Sequence, residues 1–167
     1  MDVAGLTAED RGESTEMKLI TLSQGKFAQV DDEYYEILIQ WKWNFQHGYA
    51  RRIDNKTRKP VYMHREIMNS KHGVQVDHID MDGLNNQKTN LRHATKAENM
   101  RNSVSRKGTT SKFKGVCRYK NGRWQAGITI DGKRKSLGHF DNEKDAARAY
   151  DLAAKKYNGV FARINNI

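Results

Sequence analysis

Two dipeptides ten residues apart, Asn121-Gly122 in "KNGR" and Asp131-Gly132 in "IDGK", constrain the fold of this chain more than any other feature. Asn-Gly and Asp-Gly adopt positive φ at little cost, and between alternating segments they are the strongest short-range hairpin signal. Inside "FKGVCRYKNGRWQAGITIDGKRKSLGHF" they mark off three antiparallel strands. The next stretch, "DNEKDAARAYDLAAKKYNG", puts Ala146, Ala149, Tyr150, Ala153 and Tyr157 on one helical face and ends at Gly159. Small alanines let that helix lie close on the sheet. Residues 112–167 therefore read as a three-stranded antiparallel sheet backed by a helix.

Charge divides the chain at the same place. Residues 101–167 hold sixteen basic and five acidic side chains, a net +11, while residues 1–100 hold fourteen and fifteen, a net −1. A basic excess confined to one end points to a polyanionic partner. Nucleic acid is favoured over an acidic membrane, because the Lys and Arg alternate with aromatics in strand-like text instead of lining one face of a helix. On charge alone, a merely solvated basic face stays open.

A chain of 167 residues supports one or two modest cores. Cys117 is the single cysteine, so neither an internal disulfide framework nor a thiolate zinc site can be built, which suits a reducing compartment. With no apolar run of membrane-spanning length and no signal-peptide pattern, the sequence reads as soluble and intracellular.

Residues 1–16, with five acids, one Arg and no periodicity, read as a disordered leader or an expression remnant ahead of Met17. Short strands and one short helix near Asp31 to Ile39 are expected next, with Trp41, Trp43, Phe45 and Tyr49 alternating as on a half-buried sheet. Met63, Ile67 and Met68 have helical spacing and precede a strand in "VQVDHI". The Ser/Thr/Gly-rich, basic stretch 101–111 reads as a linker between a domain at 17–100 and another at 112–167.

The chemistry gathers in "DHIDMDGLNNQKTN" and the "TKAEN" that follows. Asp, Gly and Asn form a polar loop, and Thr95 to Glu98 fits a capping box that starts a helix and sets Asn99 near its first turn. A strand ending in Asp77 and His78, the loop and that helix could bring oxygens to a shared ion. Ordinary turn chemistry is the alternative reading of the same residues. Neighbours on a strand point to opposite sides unless the chain bends, so irregular backbone is expected at Asp77 and His78.

The stretch "VDHIDMDGLNNQKTNLRHATKAENMRN" resembles the HNH nucleases, specifically the homing endonucleases of phages and group I introns, in its D-H-x-D, N-N, N-L-R and E-N pattern. The resemblance implies an α+β protein with the strand-strand-helix fold termed ββα-metal. It makes Asp77 and Asn99 the ligands of one divalent cation, His78 the general base, and Asn90 the brace of the His78 loop. Asn99 stands where the family name has its last histidine, and an all-oxygen ligand set favours Mg²⁺ or Mn²⁺ over zinc. The implied reaction is hydrolysis of a phosphodiester, with 5′-phosphate and 3′-hydroxyl products. His64 falls where related nucleases carry a histidine and reads as structural or phosphate-contacting; His93 reads as packed or solvated, and His47, His72 and His139 carry no signal.

The last fifty-five or so residues resemble the AP2 DNA-binding domain through "KGV", "GRWQAGI", "LGHF", "AARAYDLAA" and "NGVFARIN". That family lays its sheet in the major groove with the helix as support. The candidates for base or backbone contact are Arg118, Tyr119, Arg123, Gln125, Thr129, Arg134 and Ser136. Cys117 and Ser136 stand where plant members commonly carry Arg and Trp, so the resemblance implies the mode of binding and leaves the sequence preference open.

The two halves together imply a site-directed endonuclease of double-stranded DNA, with no membrane and no obligate protein partner. A non-catalytic DNA-binding regulator with a decayed nuclease half is the rival; intact Asp77, His78, Asn90 and Asn99 argue against it. An RNA-binding protein is disfavoured because the sheet lacks an aromatic stacking ladder.

Overall fold

The computed structural model describes residues 16–104 and 108–167. The expected leader therefore lies outside the described residues except for Glu16, and the expected linker lies outside them at 105–107. Within them the protein is a mixed α/β structure of small antiparallel sheets and short helices.

A hairpin pair opens the described residues, β1 (Met17–Thr21) on β2 (Phe27–Asp31), followed by α1 (Asp32–Leu38). The strands β3 (Asn44–Gln46), β4 (Tyr49–Ile53) and β5 (Pro60–Tyr62) form a second sheet, and α2 (Met63–Ile67) leaves it. The aromatic alternation expected from Trp41 to Tyr49 is only partly strand. Trp41 and Trp43 lie in the α1–β3 connection, where Trp43 is 2% exposed with its indole N–H donating to the Leu38 carbonyl at 2.8 Å. Burying that ring with its one donor satisfied, on Leu38, Val30, Ala50 and Met63, makes the core of this half.

The strands β6 (Gln75–His78) and β7 (Leu91–Ala94) pair antiparallel, with Asp77 opposite Arg92 and His78 opposite Leu91, and α3 (Lys96–Asn102) packs back on both. Thr95 closes the expected capping box, its hydroxyl accepting from Glu98 N at 3.2 Å while the Glu98 carboxylate takes the Thr95 N–H at 2.8 Å. The helix runs two residues past the expected domain end at 100.

The loop between β6 and β7 is docked on β2. Gln29 N donates to Leu84 O and Asn86 N to Gln29 O, both at 2.8 Å, and the buried Asp31 carboxylate takes Lys88 N at 2.7 Å and Gln87 Nε2 at 3.2 Å. A loop rich in turn residues is fixed because a strand edge supplies the backbone partners it cannot supply itself.

In the C-terminal part, β8 (Val116–Arg118), β9 (Trp124–Ile130) and β10 (Lys133–Phe140) form the three-stranded sheet in the order β10-β9-β8. The β9–β10 turn holds Asp131 at φ 49° and Gly132 at φ 77°, the two positive angles of a tight hairpin turn. The helix α4 (Glu143–Asn158), capped by Asn142, lies on the sheet through Ala146, Ala147, Tyr150, Ala153 and Ala154. Three positions depart from the expected helical face: Ala147 and Ala154 are buried, and Tyr157 is 37% exposed.

Candidate functional site

Asp77 and His78 end a regular strand, so the expected bend is absent and their side chains go to opposite faces of β6. Asp77, 5% exposed, faces α3. Its Oδ2 accepts from Arg92 Nη2 at 2.6 Å and Nε at 2.8 Å, and both its oxygens accept from Asn102 Nδ2 at 3.1 Å. The same amide nitrogen reaches the His78 and Ile79 carbonyls at 2.9 and 3.3 Å. Four oxygens around one NH₂ fix the orientation of the Asn102 amide and tie α3 to the end of β6.

Asn99, one turn earlier on α3, donates its Nδ2 to Gln75 Oε1 at 2.9 Å. Gln75 and Asp77 share a face of β6, so the strand and helix are joined by two successive rungs, Gln75 to Asn99 and Asp77 to Asn102. The structure thus puts Asn102 on Asp77 and leaves Asn99 one rung away. The i, i+3 repeat of Asn in "ENMRN" was the signal for the second rung, which sequence reasoning missed.

On the other face, His78 is 5% exposed, and its Nε2 lies 3.3 Å from Oδ1 of the fully buried Asn86. Asn86 Nδ2 is committed to Leu84 O at 3.1 Å, which turns the amide oxygen toward the imidazole. An acceptor there requires the proton on Nε2 and leaves the lone pair on Nδ1. Burial holds the His78 pKa below the usual histidine value, with Asn86 and the nearby Asp80, Asp77 and Asp82 pulling the other way, so the ring is neutral at pH 7. Asn90 acts on the following loop: its Nδ2 donates to Asp80 Oδ1 at 2.9 Å and Asn85 O at 2.8 Å, and its Oδ1 accepts Asp80 N at 3.1 Å.

His64 stacks edge-on against His78, ring centroids 4.9 Å apart and 77° between planes, with Tyr49 and Tyr62 completing an aromatic cluster. Its buried Nδ1 has no hydrogen-bond partner among the described residues. Burial, reinforced by His78 and Arg65, pushes its pKa down to about 3.

No group of three or more His, Cys, Asp or Glu side chains gathers as a metal cage among the described residues. The available donors are hard oxygens. Among the described residues Asp77 Oδ1 takes only the Asn102 amide, and Asn99 Oδ1 accepts no hydrogen bond. Hard oxygens of this kind suit a divalent cation that takes one or two protein oxygens and completes its shell with water and phosphate.

In the C-terminal sheet, strand alternation decides which residues face out. Trp124, Ala126 and Ile128 go to the helix, so Gln125 and Thr129 go outward together with their cross-strand partners Cys117, His139 and Arg134; Ser136, opposite Gly127, joins them. Arg134 lies across Gly127, where a Cβ would come within 3.0 Å of its guanidinium. Tyr119 stacks on His139, centroids 4.1 Å apart, at the edge of this face. Two of the sequence candidates are engaged elsewhere: Arg118 stacks over Trp124 at 4.8 Å, and Arg123 pairs with Asp141 at 2.8 Å and donates to His139 O at 3.1 Å. His139 is the outward residue that the sequence did not single out.

Residues 61–101 match the family model described as HNH endonuclease, and residues 111–160 that of the AP2 domain. The chain is 31% identical to an uncharacterized HNH endonuclease of Acanthamoeba polyphaga mimivirus, over 89% of this chain and 80% of that protein. It is 43% identical to an AP2/ERF and B3 domain-containing transcription repressor of Arabidopsis thaliana and 50% identical to an APETALA2-like protein of Oryza sativa subsp. indica. These plant matches cover 41% and 34% of this chain but only 19% and 13% of the plant proteins.

Proposed function

The chain belongs to the HNH endonuclease family, and from that premise we propose that it is a site-directed endonuclease hydrolysing phosphodiester bonds of double-stranded DNA, aimed by its C-terminal domain. The observation that carries this reading is His78, buried at the end of β6 with its Nε2 on Asn86 Oδ1, next in the chain to Asp77, whose carboxylate is held on the opposite face of the strand. In this reading β6, β7 and α3 are the ββα-metal unit of a nuclease domain over residues 17–100, and residues 112–167 form the reader, joined by the linker 101–111. His78 Nδ1 takes the proton of the attacking water, a role for which an imidazole that is unprotonated at working pH is suited. Asn86 holds the ring in that tautomer, and Asn90 keeps the adjacent loop, and so the end of β6, in place. Asp77 and Asn99 supply oxygens to one divalent cation, Mg²⁺ or Mn²⁺. When bound, such an ion offsets charge on the phosphate and at the departing 3′ oxygen.

DNA is read by the outward face of the C-terminal sheet through Tyr119, Gln125, Thr129, Arg134 and Ser136, with His139 added. Arg118 and Arg123, at its margins, serve phosphate contact. The +11 charge of residues 101–167 supplies the sequence-independent affinity that an active site touching few phosphates lacks. No helix among the described residues is long and apolar enough to cross a membrane.

The test is nicking of supercoiled plasmid carrying the gene's own flanking DNA, with Mg²⁺ and with EDTA, by the parent and by His78→Ala. Metal-dependent cutting that the variant loses supports the reading; a parent that binds the DNA and never cuts it replaces the reading with a DNA-binding regulator.

A further inference from the structure

The guanidinium that pairs with Asp77 is also held from the C-terminal domain. Arg92 Nη1 donates to Val160 O at 2.6 Å, and the guanidinium carbon sits 4.0 Å from the centroid of the Phe161 ring. Both residues belong to the 3-10 turn Gly159–Phe161 that ends α4. Each edge of one planar group is therefore assigned: Nε and Nη2 to Asp77, Nη1 to Val160, and a face to Phe161. Lysine could fill one of these places but not all of them.

A second cation grips the same region. Lys114, just before β8, donates its Nζ to the carbonyls of Arg101, Ser103 and Met100 at 2.5, 2.6 and 3.2 Å. Those carbonyls end α3, where intrahelical partners run out. Lys114 is itself fixed by Asn165, which accepts its N–H at 2.8 Å and is held by Asp151. The helix carrying Asn99 and Asn102, and the arginine carrying Asp77, are thus both anchored in the DNA-reading half.

We propose that Arg92 is a positioning residue through which the C-terminal domain aims the Asp77 carboxylate. Arg92 engages Oδ2 alone, and Oδ1, which takes only the Asn102 amide among the described residues, is the oxygen offered to the cation, so the seating of the Gly159–Phe161 turn decides how that oxygen is presented. The inference rests on Asp77 being a ligand, as in the proposed function. Outer partners of a ligating carboxylate typically govern metal affinity by about 10- to 100-fold.

The test titrates Mn²⁺ alone into full-length parent, Phe161→Ala, Phe161→Tyr, Arg92→Lys and the Phe161→Ala/Arg92→Lys double variant, reading free Mn²⁺ by electron paramagnetic resonance. Binding of a random-sequence duplex in EDTA is measured alongside. Arg92→Lys should weaken Mn²⁺ binding by about 10- to 100-fold. Phe161→Ala should weaken it by about threefold or more, and the double variant no further than Arg92→Lys, because both act through one guanidinium. Phe161→Tyr, which keeps the ring, should restore the parental value, and Phe161→Ala should keep parental duplex affinity. Parental Mn²⁺ affinity in Phe161→Ala, or multiplying effects in the double variant, overturns the proposal. If Arg92→Lys does not fold, Phe161→Ala against Phe161→Tyr decides alone. A parent that takes up no Mn²⁺ overturns this inference and the metal reading together, whereas a parent that binds Mn²⁺ but does not nick overturns the nuclease reading and leaves this one standing.

Discussion

Asn86 and His78 meet across the β6–β7 loop, amide oxygen to imidazole Nε2 at 3.3 Å, with both side chains buried. The contact makes Nδ1 the basic nitrogen and links the proposed base to a loop that β2 holds through Gln29. Removing the base, His78→Ala, should cost about 10²- to 10⁴-fold in cleavage rate with DNA binding retained. Asn86→Ala should cost less, up to about 10²-fold, since the ring persists but loses its orientation. Single-turnover rates with pre-bound DNA test both, and full activity in His78→Ala would remove it from the mechanism.

The pH profile follows from the same pair. Burial lowers the His78 pKa, so the neutral, active form persists below the usual histidine value and the acid limb of the rate should fall only at more acidic pH. In Asn86→Asp a carboxylate would face Nε2–H and favour the imidazolium, moving that limb to higher pH. A limb that stays put in Asn86→Asp would disprove the coupling.

His64 makes a stability prediction. Its folded pKa is about 3, against 6.5 for an unperturbed histidine. Between those values the unfolded chain binds a proton that the folded chain refuses, so stability is unaffected above pH 6.5 and declines steadily as pH drops toward 3. At pH 5 the loss should be on the order of 2 kcal/mol. Urea unfolding of the parent and His64→Phe at pH 7.5 and 5 should give a smaller acid loss in the variant, which removes both the titration and the unpartnered Nδ1. Equal losses would contradict the assignment.

Asn99 and Asn102 should separate by phenotype. Asn102→Ala strips donors from Asp77 and two carbonyls, and should destabilise the fold by about 1 to 3 kcal/mol. Asn99→Ala loses one half-buried bond to Gln75 and should melt near the parent, while needing more Mg²⁺ to cut. Thermal melts paired with Mg²⁺ titrations distinguish them. A parental Mg²⁺ requirement in Asn99→Ala would take that residue off the cation.

On the sheet, Arg134→Ala should cost about 1 to 3 kcal/mol on the preferred site if the guanidinium pairs with a guanine, and should relax discrimination there. Arg118→Ala, removed from the outward face by its stack on Trp124, should weaken all sequences alike and reduce the salt slope by about one. Competition binding against specific and scrambled duplexes at several salt concentrations reads both effects.

What the sequence determined by itself was local or summed. The Asn-Gly and Asp-Gly turns, the Thr95 capping box and the alanine seam of α4 depend on residues within a few positions of one another, and the charge division is a count. The polar run from Asp77 to Asn99 was legible as a candidate site. Tertiary structure decided which atoms meet. Asn102 takes Asp77 because the crossing of α3 over β6 sets the rungs, and that crossing depends on packing against β7. Asn86 reaches His78 because its loop borrows hydrogen bonds from β2, a strand distant in sequence. Arg92 reaches Val160, and Arg123 turns to Asp141 instead of the sheet face, through side-chain choices made only after the elements are assembled. Residue type and spacing specify what a side chain can bond, but a hydrogen bond is made only across about 3 Å, and closeness between remote segments is fixed by the packed core.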